Sequence, residues 1–146
     1  MKLNTLAIVL ASSFSANVLA ADVINHKSPY CGCCGDWTKH MIEAGYTVKE
    51  ELHENMNPIK ERFGITPKLA SCHTAEIDGY VFEGHIPAED ITAFLENPPK
   101  NAKGLAVPGM PLGSPGMVYG EERDEYSVYA FNEKGQVFEY RHYEGK

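Results

Sequence analysis

The chain has 146 residues, 43% of them hydrophobic and 23% charged, the balance of one globular domain and too few residues for two sizeable cores. Acids outnumber bases 20 to 13, for a formal charge of -7, which argues against nucleic acid as a partner because phosphate contacts need a basic surface. Four cysteines suggest two disulfides, provided the chain enters an oxidising compartment.

The first twenty residues read as a targeting segment. Lys2, an apolar run over residues 6–10, a Ser/Ala-rich stretch and the small-residue ending Val18-Leu19-Ala20 form a secretory signal peptide with cleavage expected after Ala20. Ser12, Ser13, Ser15 and Asn17 break the apolar run well short of the roughly 20 residues that span a bilayer. No later stretch is apolar for long enough, so an exported, soluble protein with no membrane insertion is expected.

In the mature chain, residues 23–27 read as a short strand ended by Ser28-Pro29, and residues 30–35 as a turn. A helix follows with Trp37, Met41 and Ala44 on one face and Gly45 as its stop. Residues 46–52 read as a strand, and residues 56–63 as a short helix with Pro58 in its first turn and Gly64 at its end. Residues 69–77 and 80–83 flank Asp78-Gly79, a strong hairpin signal. Pro87 opens a helix carrying Ala88, Ile91, Phe94 and Leu95 at helical spacing, with Glu89 and Asp90 placed to complement the helix dipole. Asn97-Pro98-Pro99 ends it. Residues 98–120 are rich in Gly and Pro without periodicity, yet hold Leu105, Val107, Met110, Leu112, Met117 and Val118, so an ordered loop lying on the domain is expected. Residues 126–131 and 137–143 read as a terminal hairpin.

The chemistry concentrates in Cys31-Gly32-Cys33-Cys34. A disulfide stabilises mainly by closing a long loop, and the loops inside this turn are almost nil, so the cluster reads as functional and not as a staple. A helix N-terminus there stabilises thiolates, the form that attacks disulfides and binds metal. A thiol-disulfide oxidoreductase needs only Cys31 and Cys34 as its catalytic pair. Cys33 is surplus to that chemistry, so three cysteines in four positions fit a multi-sulfur metal site better. Soft thiolates select copper(I) or zinc, and thioether sulfur tilts the choice toward copper.

Further candidates are spread along the chain. Cys72, in Ser71-Cys72-His73-Thr74, is either a disulfide partner of the cluster or a ligand. Thr66-Pro67 just before it suggests a cis-proline that sets this loop beside the cysteine turn. His85 is either a ligand or a surface or helix-capping histidine. Met110 and Met117 either touch metal or pack. His26, His40, His53 and His142 read as isolated, with His40 on a solvated helix face or behind the site.

With these residues assembled, the chain resembles the CopG-type periplasmic copper-resistance proteins, a family recognised by its C-x-C-C motif. The matching pieces are residues 27–37 (KSPYCGCCGDW), His40, 71–75 (SCHTA), 78–81 (DGYV), 83–87 (EGHIP) and 104–117 (GLAVPGMPLGSPGM), in the family's order. Departures are small: Ile86 stands where the family often has Val, and residues 64–67 hold one proline where it often has two. The resemblance implies an α/β fold with a thioredoxin-like core over residues 21–97. Residues 98–146 then form a C-terminal metal-binding extension. It further implies a multinuclear copper cluster bridged by Cys31, Cys33, Cys34 and Cys72, with His85 and Met110 or Met117 as terminal ligands.

The function so implied is periplasmic copper binding for copper resistance, with interconversion of Cu(I) and Cu(II) in support of an efflux system. The expected partners are copper ions and periplasmic efflux components, and a monomer is expected. The competing readings are a thiol-disulfide oxidoreductase using Cys31 and Cys34, and a structural zinc module of Cys31, Cys34, Cys72 and one histidine. Spacing does not decide which of His73, His85, Met110 and Met117 touch metal.

Overall fold

The structure, a computed structural model, describes residues 21–146; the expected signal peptide over residues 1–20 lies outside the described residues. The elements run β1 (Asp22–Lys27), α1 (Gly32–Glu43), β2 (Thr47–Leu52), α2 (Asn57–Phe63), β3 (Thr74–Ile77), β4 (Tyr80–Glu83), α3 (Ala88–Glu96), β5 (Ala102–Ala106), β6 (Tyr126–Asn132) and β7 (Val137–Tyr143). The seven strands form one mixed sheet in the order β2-β1-β3-β4-β5-β6-β7. β1 with β2 and β4 with β5 are parallel pairs, and the other neighbours are antiparallel.

Strand alternation divides the core between the two faces of this sheet. Phe82 and Leu105 pack with Trp37 and Met41 of α1 and with Ile91 and Phe94 of α3. Their chain neighbours Val81 and Ala106 pack with Ile59 and Phe63 of α2. Helices therefore cover both faces. Asp78 and Gly79 both take positive φ, 51° and 80°, the pairing that a tight two-residue hairpin requires. Gly64 ends α2 in the left-handed conformation. Ala44, expected on the buried face of the first helix, instead caps its C-terminus and is exposed.

Three expectations are corrected. The strand over residues 69–77 contracts to Thr74–Ile77 because its partner β4 ends at Glu83, opposite Thr74; Leu69 closes a turn onto the Thr66 carbonyl instead. Pro67 is not cis: no described peptide bond is. The stretch over residues 98–120 is not wholly a loop, since Ala102–Ala106 forms a strand between β4 and β6. Gly104 makes that possible, because a Cβ at this position would lie 1.6 Å from the Val81 carbonyl oxygen and only glycine admits so close an approach. From Val107 the chain leaves the sheet and returns over the end that carries the cysteines.

Candidate metal centre

Cys31 occupies the N-cap of α1 in an extended conformation, and Cys33 and Cys34 lie in the first turn. Their sulfurs therefore sit at the positive end of the helix, where unpaired amides favour thiolate. Cys34 is buried, while Cys31, Cys33 and Cys72 are partly exposed. Cys72 lies on the loop before β3. The four sulfurs all lie within 4.8 Å of one another, with Cys33 3.5 Å from Cys31 and 3.9 Å from Cys72.

Cys31 and Cys34 are joined in a disulfide, and Cys33 and Cys72 are free thiols. The bonded pair is the one the thiol-disulfide reading uses, and the second disulfide that the cysteine count suggests is not formed. One turn of helix brings the two Cα atoms to 5.4 Å, inside the range a disulfide spans. The bond closes too short a loop to act as a staple. Four thiols are present together only when this bond is reduced.

Histidines complete the centre. His85 Nε2 lies 2.9 Å from Cys72 Sγ, and His73 Nδ1 lies 3.7 Å from the same sulfur. His85 Nδ1 donates to the Pro115 carbonyl at 2.8 Å, which places the ring proton on Nδ1 and leaves the Nε2 lone pair facing the sulfurs. Both imidazoles are buried. His73 stacks against Trp37 at 4.5 Å and meets His85 edge-on at 4.9 Å. Burial holds the pKa of both below the ordinary histidine value, furthest for His73, so both are neutral and able to donate lone pairs. The Cys72 thiol is pushed up to about 12, by burial first and by the charge of Cys33 second. A soft metal ion arriving there displaces a proton.

The Gly/Pro-rich segment closes over this centre. A Cβ on Gly116 would lie 2.6 Å from the Cys33 carbonyl oxygen, 2.8 Å from the Trp37 amide and 3.1 Å from His85 Nδ1. Gly109 donates its amide to Ala70, and its carbonyl accepts from the Ser71 hydroxyl. Met117 and Met110, the residues next in sequence, are thereby anchored through their backbones beside Cys33 and beside the loop leading to Cys72. Met110 is 52% exposed and Met117 is partly buried.

Glu83 is the positioning residue that sequence reasoning passed over. Its fully buried carboxylate accepts from Lys60, from the Ser71 amide at 2.6 Å and from the Thr74 hydroxyl at 2.6 Å. It thus grips the residues on either side of Cys72-His73. A charge ending a strand otherwise reads as surface, and its place at the head of the EGHIP piece is the one sequence signal that marks it. His40, half-buried, is tied to none of the thiols: its Nε2 accepts from the Ala88 amide at 3.1 Å, capping α3. His26 and His53, isolated in sequence, stand 3.0 Å apart.

The family described as "Protein of unknown function, DUF411" matches residues 69–117, the span that holds Cys72, His73, His85, Met110 and Met117. No curated protein matches the chain. Two solved structures are similar over most of its length. One, "Copper resistance protein copG", form 2, is 39% identical with a TM-score of 0.81, covering 86% of this chain and 99% of that one. The other, form 1 of the same protein, is 40% identical with a TM-score of 0.80, covering 85% and 98%. At that identity over essentially the whole length of both structures, with the cysteine centre formed, the chain belongs to the CopG family of copper-resistance proteins.

Proposed function

We propose that the chain is a periplasmic copper-binding protein that holds a cysteine-bridged, multinuclear copper cluster and interconverts Cu(I) and Cu(II) in support of copper efflux. The observation that carries this reading is the convergence of four cysteine sulfurs from two separate loops, with His85 Nε2 aimed at the same space. Four thiols within bridging reach exceed what one tetrahedral zinc requires once a histidine is added. Sulfur donors with a buried imidazole suit copper(I). Within this reading Cys31, Cys33, Cys34 and Cys72 bridge, His85 and one of Met110 and Met117 are terminal, and the Gly116 segment limits solvent access and copper release.

The pattern of residues 1–20 supports export, and the names of the related structures support copper as the cargo. A thioredoxin-like core is supported by the order strand, helix, strand, helix, strand, strand, helix over residues 22–96 and by the arrangement β2-β1-β3-β4. β5, β6 and β7 then belong to the extension, which also supplies the covering loop. In this reading the protein acts as a monomer that serves periplasmic efflux partners.

The Cys31–Cys34 disulfide favours a second reading as a thiol-linked copper reductase, in which these two sulfurs supply electrons and do not stay as bridges. Two Cu(II) ions each take one electron from the Cys31 and Cys34 thiolates, giving two Cu(I) and the disulfide. An external dithiol then returns two electrons, becoming a disulfide itself, and restores the thiolates. Metal analysis of protein purified from the periplasm separates the readings: more than one copper per chain supports the cluster. Metal-free protein with disulfide reductase activity indicates an oxidoreductase alone, and one zinc a structural module.

A further inference from the structure

We propose that His26, Glu51 and His53 form a second metal site, distinct from the sulfur centre, that binds a divalent ion of borderline hardness, copper(II) foremost. The site arises from strand register. In the parallel pair β1–β2, His26 is the Cα partner of Glu51, and His53 follows two residues after Glu51, on the same side of the strand. The His53 amide bonds to the Lys27 carbonyl at 2.9 Å, which continues the pairing one step past β2 and holds the His53 backbone in place. Residues 27 positions apart are thus brought together by the backbone pairing.

The donor atoms converge. His26 Nδ1 lies 3.0 Å from His53 Nε2 and 3.5 Å from Glu51 Oε2, and the three donor atoms all lie within 4.8 Å of one another. An ion with bonds of about 2.0 Å holds neighbouring ligand atoms about 2.8 Å apart in square-planar geometry and about 3.3 Å apart in tetrahedral geometry. The separations of 3.0 and 3.5 Å lie on either side of the tetrahedral value. His26 is 2% exposed and packs its ring against Phe63 at 5.5 Å, so one ligand is already immobilised. Lys49 holds the other Glu51 oxygen at 2.9 Å, which turns Oε2 toward the imidazoles. Glu51 and His53 are only partly buried, leaving a path for the ion and room for a water as fourth ligand.

Two imidazoles and a carboxylate contain no soft donor, so the site discriminates against Cu(I) and favours copper(II), which tops the divalent affinity series. The sulfur centre has the opposite preference. Only four residues separate His26 from Cys31, so the two sites share one end of the sheet and accept copper in different oxidation states. Arg62 is the opposing group, 3.4 Å from His26 Nε2. When Nδ1 binds the ion, Nε2 carries the proton and no longer accepts from Arg62. That side chain is exposed and stacks over Phe63, and turns away into solvent. The site stands whether or not the cysteines hold a copper cluster.

The test uses the intact mature chain with Cys33 and Cys72 alkylated, so that they neither bind nor reduce the probe. Cu(II) sulfate is titrated in and followed by electron paramagnetic resonance and by NMR of the imidazoles. One Cu(II) with coupling to two nitrogens is expected, weakened about tenfold or more by His53→Ala and unchanged by His142→Ala, which removes the exposed histidine near Glu125, Glu139 and Glu144. Should His53→Ala fail to fold, the unmutated chain decides: Cu(II) broadens the His26 and His53 rings before any other. Broadening centred on His142 or the N-terminus, affinity indifferent to His53→Ala, or no Cu(II) bound overturns the proposal.

Discussion

Gly116 lies so close to Cys33 that a Cβ on it would sit 2.6 Å from the Cys33 carbonyl oxygen. It also holds a φ of +85°, a region where a side chain is strained. Both facts make glycine the residue that lets the extension close over the first turn of α1. Gly116→Ala is expected to lift the segment, lowering stability by about 1–3 kcal/mol and speeding copper loss. Copper transfer to a competing chelator measures the second effect, with thermal unfolding of the metal-free protein measuring the first.

The Glu83 carboxylate is wholly buried and pairs with a Lys60 side chain that is only 14% exposed. Glu83→Ala leaves that ammonium without its partner and frees the Ser71 amide and Thr74 hydroxyl. A loss of about 3–5 kcal/mol is expected from breaking such a buried pair. The double variant Glu83→Ala, Lys60→Met should recover part of it. Denaturant midpoints of the single and double variants check both statements, and copper affinity should fall in step with the disorder of the Cys72 loop.

His85 has its tautomer set by Pro115, and its Nε2 faces Cys72. His85→Ala is expected to remove a nitrogen scatterer from the copper X-ray absorption spectrum while leaving the sulfur contribution. Copper affinity should drop about tenfold or more. An unchanged nitrogen contribution would assign the imidazole ligand to His73 instead.

Burial lowers the pKa of His26, His40, His73 and His85 in the folded protein. The folded state therefore binds fewer protons than the unfolded chain just below pH 6.5, and stability falls as the pH drops through that value toward the folded pKa values. Each such histidine contributes a slope of at most about 1.4 kcal/mol per pH unit. Glu83 and Asp90 have raised values, chiefly from burial, and act in the opposite sense above the ordinary carboxylate range. Unfolding of the metal-free protein at pH 7.5 and 5.5 should show the loss. His73→Phe, which keeps a ring against Trp37, should flatten the slope.

Much of this was legible in the sequence where the signal was local. Asp78-Gly79 marks its hairpin, Gly64 its helix end, and the spacing of Ile91 and Phe94 the buried face of α3. β5 was not legible, because AKGLA has no alternation and its glycine reads as a loop residue until the approach to Val81 is seen. The cysteines and His85 were legible as candidates because their residue types are chemically unusual in those motifs. The grip of Glu83, the cap supplied by His40 and the meeting of His26 with His53 were not. Each depends on strand register or helix docking between residues 9 to 48 positions apart, and local pattern carries no information about that.

The central claim is that four thiols form one copper-bridging centre, and its most direct test is the copper count per chain after reduction of the Cys31–Cys34 disulfide and anaerobic loading with Cu(I). The account predicts more than one copper bound, with sulfur-to-copper absorption bands, and a lower count in Cys33→Ser. One copper or none, unchanged by Cys33→Ser, would contradict it.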